Sequence, residues 1–243
     1  MARLLDDRAA IVTGAGRGLG VAISTALAVD GASVLLVARS DEQVAETAVR
    51  IREAGGHARV FVADVTEPGA PDRIVNAALS EFGRLDILVN NAGVFVWKPF
   101  LDLESDDWER TIATNLSAPF QMTRIAGKVM ADAGVGGAIV NIASIHGLVA
   151  DASVVPHCAS KFGLIGLTRA SADALREYGI RVNAIAPGAI EPNSSDRRGT
   201  APTEKVTQAD IASLVVYLCS HLSRSVTGSV IEAYGSTRSV IRV

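Results

Sequence analysis

The sequence predicts an α/β fold, a doubly wound parallel sheet of about seven strands with helices on both faces. Three observations carry that expectation. Short apolar runs alternate with segments of helical length along the chain. The runs are near-continuous in apolar residues rather than alternating, as strands covered on both faces require. A cluster of glycines lies between the first run and the first helical segment.

In chain order, the strand candidates are Ala9–Thr13, Ala32–Val37, Ala58–Val62, Ile87–Val89, Ala138–Ile142, Ile180–Ile185 and Ser229–Ala233. Ser105 is expected to cap a long helical segment, because a hydroxyl there satisfies free N–H groups and acids follow in the first turn. Asp210 to Leu222 reads as a further helix, with Leu214, Leu218 and Leu222 on one stripe. No linker, repeat or composition break divides the 243 residues, so one domain spanning 1–243 is expected.

Composition narrows the functional classes. The formal net charge is −3 and no long basic run occurs, so no nucleic-acid partner is expected. No apolar stretch is long enough to span a bilayer, which argues against a membrane partner. The segment from Met1 to Arg8 has acids where a signal peptide needs an apolar core, and a cytoplasmic location is expected. Two cysteines and four unclustered histidines give neither a disulfide framework nor a metal site. Cys219 reads as a buried helix residue. Cys158 adjoins His157, but neighbours one apart on a helix point to different faces, so no Cys-His dyad is expected.

The glycine cluster is Thr13-Gly14-Ala15-Gly16-Arg17-Gly18-Leu19-Gly20. Glycines there permit positive φ and let the backbone approach a pyrophosphate, while the helix start supplies N–H groups. The second strand candidate runs into Ala38-Arg39-Ser40. A site for NAD(H) usually places a carboxylate here, on the ribose 2′-hydroxyl. Ala38 has none, and Arg39 with Arg17 suits a 2′-phosphate, so NADP(H) is expected over NAD(H). Asp64-Val65 follows the third strand candidate, and Asn90-Asn91-Ala92-Gly93 the fourth. Ser144 precedes His157-Cys158-Ala159-Ser160-Lys161 at a helical start, and Ala186-Pro187-Gly188-Ala189-Ile190 follows the sixth strand candidate.

Together these motifs resemble the short-chain dehydrogenase/reductase family, from about Leu5 to Gly235. The resemblance implies a Rossmann-like fold and a nicotinamide cofactor. It places Gly14, Arg17, Gly18, Leu19 and Gly20 on the cofactor, followed by Arg39, Asp64 and Val65. Asn91, Ala92 and Gly93, then Lys161, Pro187, Gly188 and Ile190, complete that set. It also implies a catalytic Asn, Ser, Tyr and Lys. Asn115, Ser144 and Lys161 match three of these, and His157 stands at the Tyr position. The i, i+4 spacing puts His157 and Lys161 on one helix face.

An imidazole, with an ordinary pKa of about 6.5, suits acid–base work near neutrality. A neighbouring ammonium is expected to lower that value. Reach differs, because the ring nitrogen ends roughly 2 Å short of a phenol oxygen, and a misplacement of about 1 Å costs on the order of 10²-fold in rate. Two further departures lie on the same side. Pro192 occupies the position of a carboxamide-binding Thr, and the substrate segment from Glu191 to Glu204 is short and rich in turn formers. His146 and Trp97 are candidates for the substrate pocket, although packing is the default for Trp97 and Trp108. His57, on a turn, and His221, at a helix end, read as surface residues. At the tail, Tyr234 replaces a usual Asp and Ser236 a usual Gly, with Arg238 and Arg242 beyond.

The favoured reading is an NADP(H)-dependent oxidoreductase acting on a carbonyl/alcohol pair of a small organic substrate. A redox-neutral enzyme on the same scaffold, a dehydratase, isomerase or cyclase, is the second reading, and a non-catalytic subunit the third. The resemblance further implies a homodimer or homotetramer, through Ser105 to Ala133 and Asp210 to Ala233.

Overall fold

The structure is a computed structural model that describes residues 3–190 and 206–234. Seven parallel strands form one sheet in the order β3-β2-β1-β4-β5-β6-β7. They are β1 (Ala9–Thr13), β2 (Ser33–Ala38), β3 (His57–Val62), β4 (Ile87–Asn90), β5 (Gly137–Ile142), β6 (Ile180–Pro187) and β7 (Val230–Ala233). The helices are α1 (Leu19–Val29), α2 (Asp41–Glu53), α3 (Ala70–Phe82), α4 (Ser105–Ile112), α5 (Ala118–Ala133), α6 (Val155–Ala174) and α7 (Gln208–Cys219). The expected α/β fold is therefore observed, with each strand within a residue or two of its expected bounds.

The pleat explains why the strands read as continuous apolar runs. Along β1, Ala10 and Val12 pack into a core layer with Ile23 and Leu27 of α1 and Val215 of α7. The intervening Ile11 packs into the opposite layer, with Ile74 of α3 and Met122 of α5. Successive side chains point to opposite faces, and both faces are covered by helices, so every position must be apolar. The edge strand β3 departs from this, exposing His57, Arg59 and Val62, and Arg59 Nε donates to Glu81 at 2.9 Å.

The strand order reverses between β1 and β4, and the loops above their carboxyl ends diverge. Thr13 ties that crevice together. Its hydroxyl oxygen accepts from the N–H groups of Asn91 and Ala92, both at 3.0 Å. Asn91 Nδ2 in turn donates to the carbonyls of Thr13 and Gly14 at 2.9 and 3.2 Å. Beneath it, Asn90 donates to Asn141 at 2.8 Å, and Asn141 to Thr168 at 2.9 Å, a buried ladder joining β4, β5 and α6.

Several sequence expectations need correction. Glu104, not Ser105, caps α4, because the Asp107 carboxylate accepts the Glu104 N–H at 3.4 Å and makes Ser105 the first helical residue. The long segment that follows is not one α-helix, since Ala113–Ser117 form a π-helical turn between α4 and α5. The helix α7 ends at Cys219, so Leu222 falls in the turn His221–Ser223 and is 55% exposed instead of completing an apolar stripe. His57 opens β3 rather than lying on a turn. Trp97 and Trp108 are 73% and 45% exposed, so neither is a packing residue in the isolated chain. Cys219 is buried as expected, and burial pushes its thiol up to about 12. The substrate segment 191–204, Pro192, Ser236, Arg238 and Arg242 lie outside the described residues.

Candidate functional site

The first half of the site is a cavity of about 610 Å³ above the carboxyl ends of β1, β2 and β4. The glycine loop forms its floor. Gly14 has φ +67°, and a β-carbon on it would lie 2.9 Å from Ala92 Cα. A β-carbon on Gly20 would overlap the Gly14 carbonyl oxygen, so the helix packs too close to the loop for any side chain. Leu19 and Gly20 open α1 onto the cavity with Gly18 as N-cap, and N–H groups of a first helical turn have no acceptor within the helix. Asp64, Val65, Asn91, Ala92 and Gly93 line the far wall.

Arg17 and Arg39 stand exposed at the rim beside Ala38. Arg39 Nη1 lies 3.6 Å from Asp64 Oδ2. Burial raises the pKa of Asp64, but hydrogen bonds from Thr66 and the Arg39 charge together hold it below the ordinary carboxylate value. A bare glycine cradle, a helix start aimed into it and two arginines at one end fit a phosphate-bearing dinucleotide.

The second half is a cavity of about 760 Å³ that shares Arg17, Arg39, Gly93 and Val94 with the first. Ser144, His146, His157, Lys161, Pro187, Gly188 and Ile190 all line it, together with Phe95 and Arg110. Ser144 follows β5 and caps a short turn, its hydroxyl accepting the His146 N–H at 3.2 Å. His157 and Lys161 project from the first turns of α6, which starts at Val155-Pro156, where a fixed φ and a missing N–H cost nothing. Lys161 Nζ donates to the Ile142 carbonyl at 2.7 Å, and burial lowers its pKa to about 8.

His157 is 8% exposed and packs edge-on against Phe95, with ring centroids 4.8 Å apart. Its pKa is lowered to about 4, first by burial, then by the charges of Lys161 and His146; a hydrogen bond with the Val94 backbone opposes this. The imidazole is therefore neutral near pH 7. Its Nδ1 is buried without a hydrogen-bond partner from the protein.

Asn115 sits fully buried in the π turn. Its Oδ1 accepts from Val94 N at 2.8 Å, and its Nδ2 donates to the Val94 carbonyl at 2.9 Å and to Ser160 Oγ at 3.1 Å. Ser160 Oγ donates to the His157 carbonyl at 2.8 Å. The amide thus clamps the strand-like segment after Gly93 to the helix that carries His157. An extra residue per turn is how a π segment turns such a side chain inward without ending the helix.

Ser144, His157 and Lys161 line the second cavity, Asn115 stands outside both linings on Val94 and Ser160, and every expected cofactor residue lines one of the two joined cavities. Trp97 is not in the lining; its ring lies 6.3 Å from that of Phe95, which takes the place by the cavity. Sequence reasoning missed Phe95, Thr13, Ser160 and Asp151. Thr13 and Ser160 lie inside the motifs without a role assigned to them, and Phe95 carries no motif. Asp151 lies in an irregular loop, and only folding sets it 3.6 Å from His146 Nε2. Among the described residues no group of three potential metal ligands occurs, and no helix is long and apolar enough to cross a membrane.

A family profile described as short chain dehydrogenase matches residues 8–202. D-threitol dehydrogenase of Mycolicibacterium smegmatis is 37% identical over 236 residues, covering 93% of this chain and 90% of that protein. A short-chain type dehydrogenase/reductase from Mycobacterium marinum superposes with a TM-score of 0.90 at 30% identity, over 98% of each chain. A xylitol dehydrogenase solved with NAD+ bound gives a TM-score of 0.88 at 27% identity, over 96% of this chain and 99% of that one.

Proposed function

The chain belongs to the short-chain dehydrogenase family, whose members are oxidoreductases of alcohol/carbonyl pairs that use a nicotinamide cofactor, and on that premise we propose an NADP(H)-dependent dehydrogenase of a small organic alcohol whose proton acceptor is His157. It works as a single dinucleotide-binding domain within a homo-oligomer. The observation that carries the reading is the neutral His157 imidazole, its Nδ1 without a partner, lining with Lys161 and Ser144 a cavity continuous with the dinucleotide crevice.

The glycine loop and the α1 start would hold the diphosphate. Arg39 and Arg17 would take a 2′-phosphate, and Lys161 the nicotinamide ribose. When bound, the nicotinamide accepts or returns a hydride. The remaining work belongs to the protein. Ser144 Oγ donates to the substrate oxygen and orients it. His157 takes the hydroxyl proton as the carbonyl forms. With a pKa of about 4, only on the order of one ring in a thousand is protonated at pH 7. The ring is therefore present in the neutral form that accepts the hydroxyl proton. Phe95, packed edge-on against the ring, fixes its tilt.

Cofactor preference is tested by titrating the protein with NADPH and NADH, following nicotinamide fluorescence and heat. NADPH is expected to bind at least about tenfold more tightly, since charge-assisted bonds to a phosphate contribute about 1.5–3 kcal/mol. Arg39→Ala should remove most of that preference and leave NADH affinity nearly unchanged. Tighter binding of NADH by the wild type would refute the assignment.

A further inference from the structure

We infer that His146, backed by Asp151, is the outlet through which the proton taken up at His157 leaves the site for solvent. This rests on the reading of His157 as the proton acceptor. The two rings stand edge-on, with centroids 5.8 Å apart at 83°. Both line the substrate cavity, but they differ in access. The His146 side chain is 24% exposed, whereas His157 is 8% exposed. A proton that reaches His146 can pass to bulk water.

The Asp151 carboxylate is held in place for this task. Its Oδ1 accepts from the N–H and hydroxyl of Ser153 at 2.8 and 2.6 Å, leaving Oδ2 facing His146 Nε2 at 3.6 Å. Its backbone is clipped to α6 by Cys158, whose Sγ accepts the Asp151 N–H at 3.3 Å and donates to the Asp151 carbonyl at 3.7 Å. His146 is equally fixed. Its N–H is bound by Ser144 Oγ, and its turn packs so tightly on α6 that a β-carbon on Gly147 would lie 2.8 Å from the Lys161 carbonyl oxygen.

The charges around the two rings give the transfer its direction. His157 faces Lys161 on its own helix, and Arg17, Arg39 and Arg110 line the same cavity from the glycine loop, the end of β2 and α4. A cation on His157 therefore sits buried among other cations. A cation on His146 sits opposite the Asp151 carboxylate, which hydrogen bonds from Ser153 keep ionised. The step is a plain proton transfer. The N–H bond on His157 breaks, one forms on His146, His157 returns to neutrality, and bulk water or buffer takes the proton from His146. The Asn115 amide is already spent on Val94 and Ser160.

The test is stopped-flow oxidation of a secondary-alcohol panel (D-threitol, cyclohexanol and 1-phenylethanol) with NADP+ in weak buffer, reading NADPH absorbance and a pH indicator together. The wild type is expected to release its proton in step with NADPH formation. His146→Gln should slow both by about tenfold or more, the scale of lost acid–base assistance, and millimolar imidazole should restore the rate. Asp151→Asn should show a smaller loss, rescued in the same way. Fluorescence titration with NADPH, unchanged in both variants, shows that they are folded. A rate in His146→Gln equal to wild type and indifferent to buffer overturns the outlet while leaving His157 as acceptor. Absence of NADPH formation by the wild type on the whole panel overturns both readings.

Discussion

His157 and Lys161 make stability depend on pH in a calculable direction. An unfolded histidine titrates near 6.5, whereas His157 in the fold is lowered to about 4. Between these values the unfolded chain binds more protons, so stability rises with pH across that window. The contribution is complete above about 6.5 and is lost as pH falls through about 4, a span on the order of 3 kcal/mol. Urea denaturation at pH 7 and pH 4.5 should therefore show a loss in the wild type that is about 2 kcal/mol larger than in His157→Gln. Lys161, lowered to about 8, acts in a higher window, and at pH 7 the fold carries a buried ammonium. Lys161→Met should raise stability at pH 7 by about 1–2 kcal/mol while abolishing turnover. A melting temperature unchanged or lowered in that variant would mean that the bond to the Ile142 carbonyl outweighs desolvation.

At the scale of elements, the π turn between α4 and α5 and the glycine loop before α1 matter most. Asn115 satisfies Val94 N–H, the Val94 carbonyl and Ser160 Oγ from one buried amide. Asn115→Ala orphans those groups and should cost about 3 kcal/mol in urea unfolding, with weakened NADPH binding because the segment after Gly93 loses its anchor. A shorter polar side chain that restores at most one bond, Asn115→Ser, is expected to recover little of either. The sequence shows Asn115 as a motif residue, but a π turn has no periodicity signature over so short a span. The cap of α4 was likewise misplaced by one residue. Ser105 is the better capper by type, yet Asp107 sits third from Glu104 and is drawn to Lys98 at 2.5 Å as well, so its carboxylate fixes the helix start one residue earlier.

At the scale of the whole molecule, apolar side chains remain exposed on the outer helices. Phe120 on α5 and Phe162 on α6 are 45% and 46% exposed. Exposed aromatics on neighbouring helices favour association, and sedimentation equilibrium at micromolar concentration is expected to show a dimer or tetramer. Phe120→Glu with Phe162→Glu should shift that distribution toward monomer while the far-ultraviolet circular dichroism is kept. A wild-type monomer at all concentrations would remove the oligomer from the proposed function.

The parallel sheet, its approximate seven strands and the crevice at the glycine loop follow from the sequence alone, because burial on two faces forces continuous apolar runs and close backbone approach forces glycine. The placement of Ser144, His157 and Lys161 on one cavity was legible too, since fixed spacing on a strand end and one helix face carries into space. The tertiary structure decided the rest. It set the tilt of His157 against Phe95, its loss of a partner at Nδ1, the depth at which Lys161 is buried and the approach of Asp151 to His146. These depend on contacts between segments far apart in the chain, and on desolvation, which no local pattern of residues encodes.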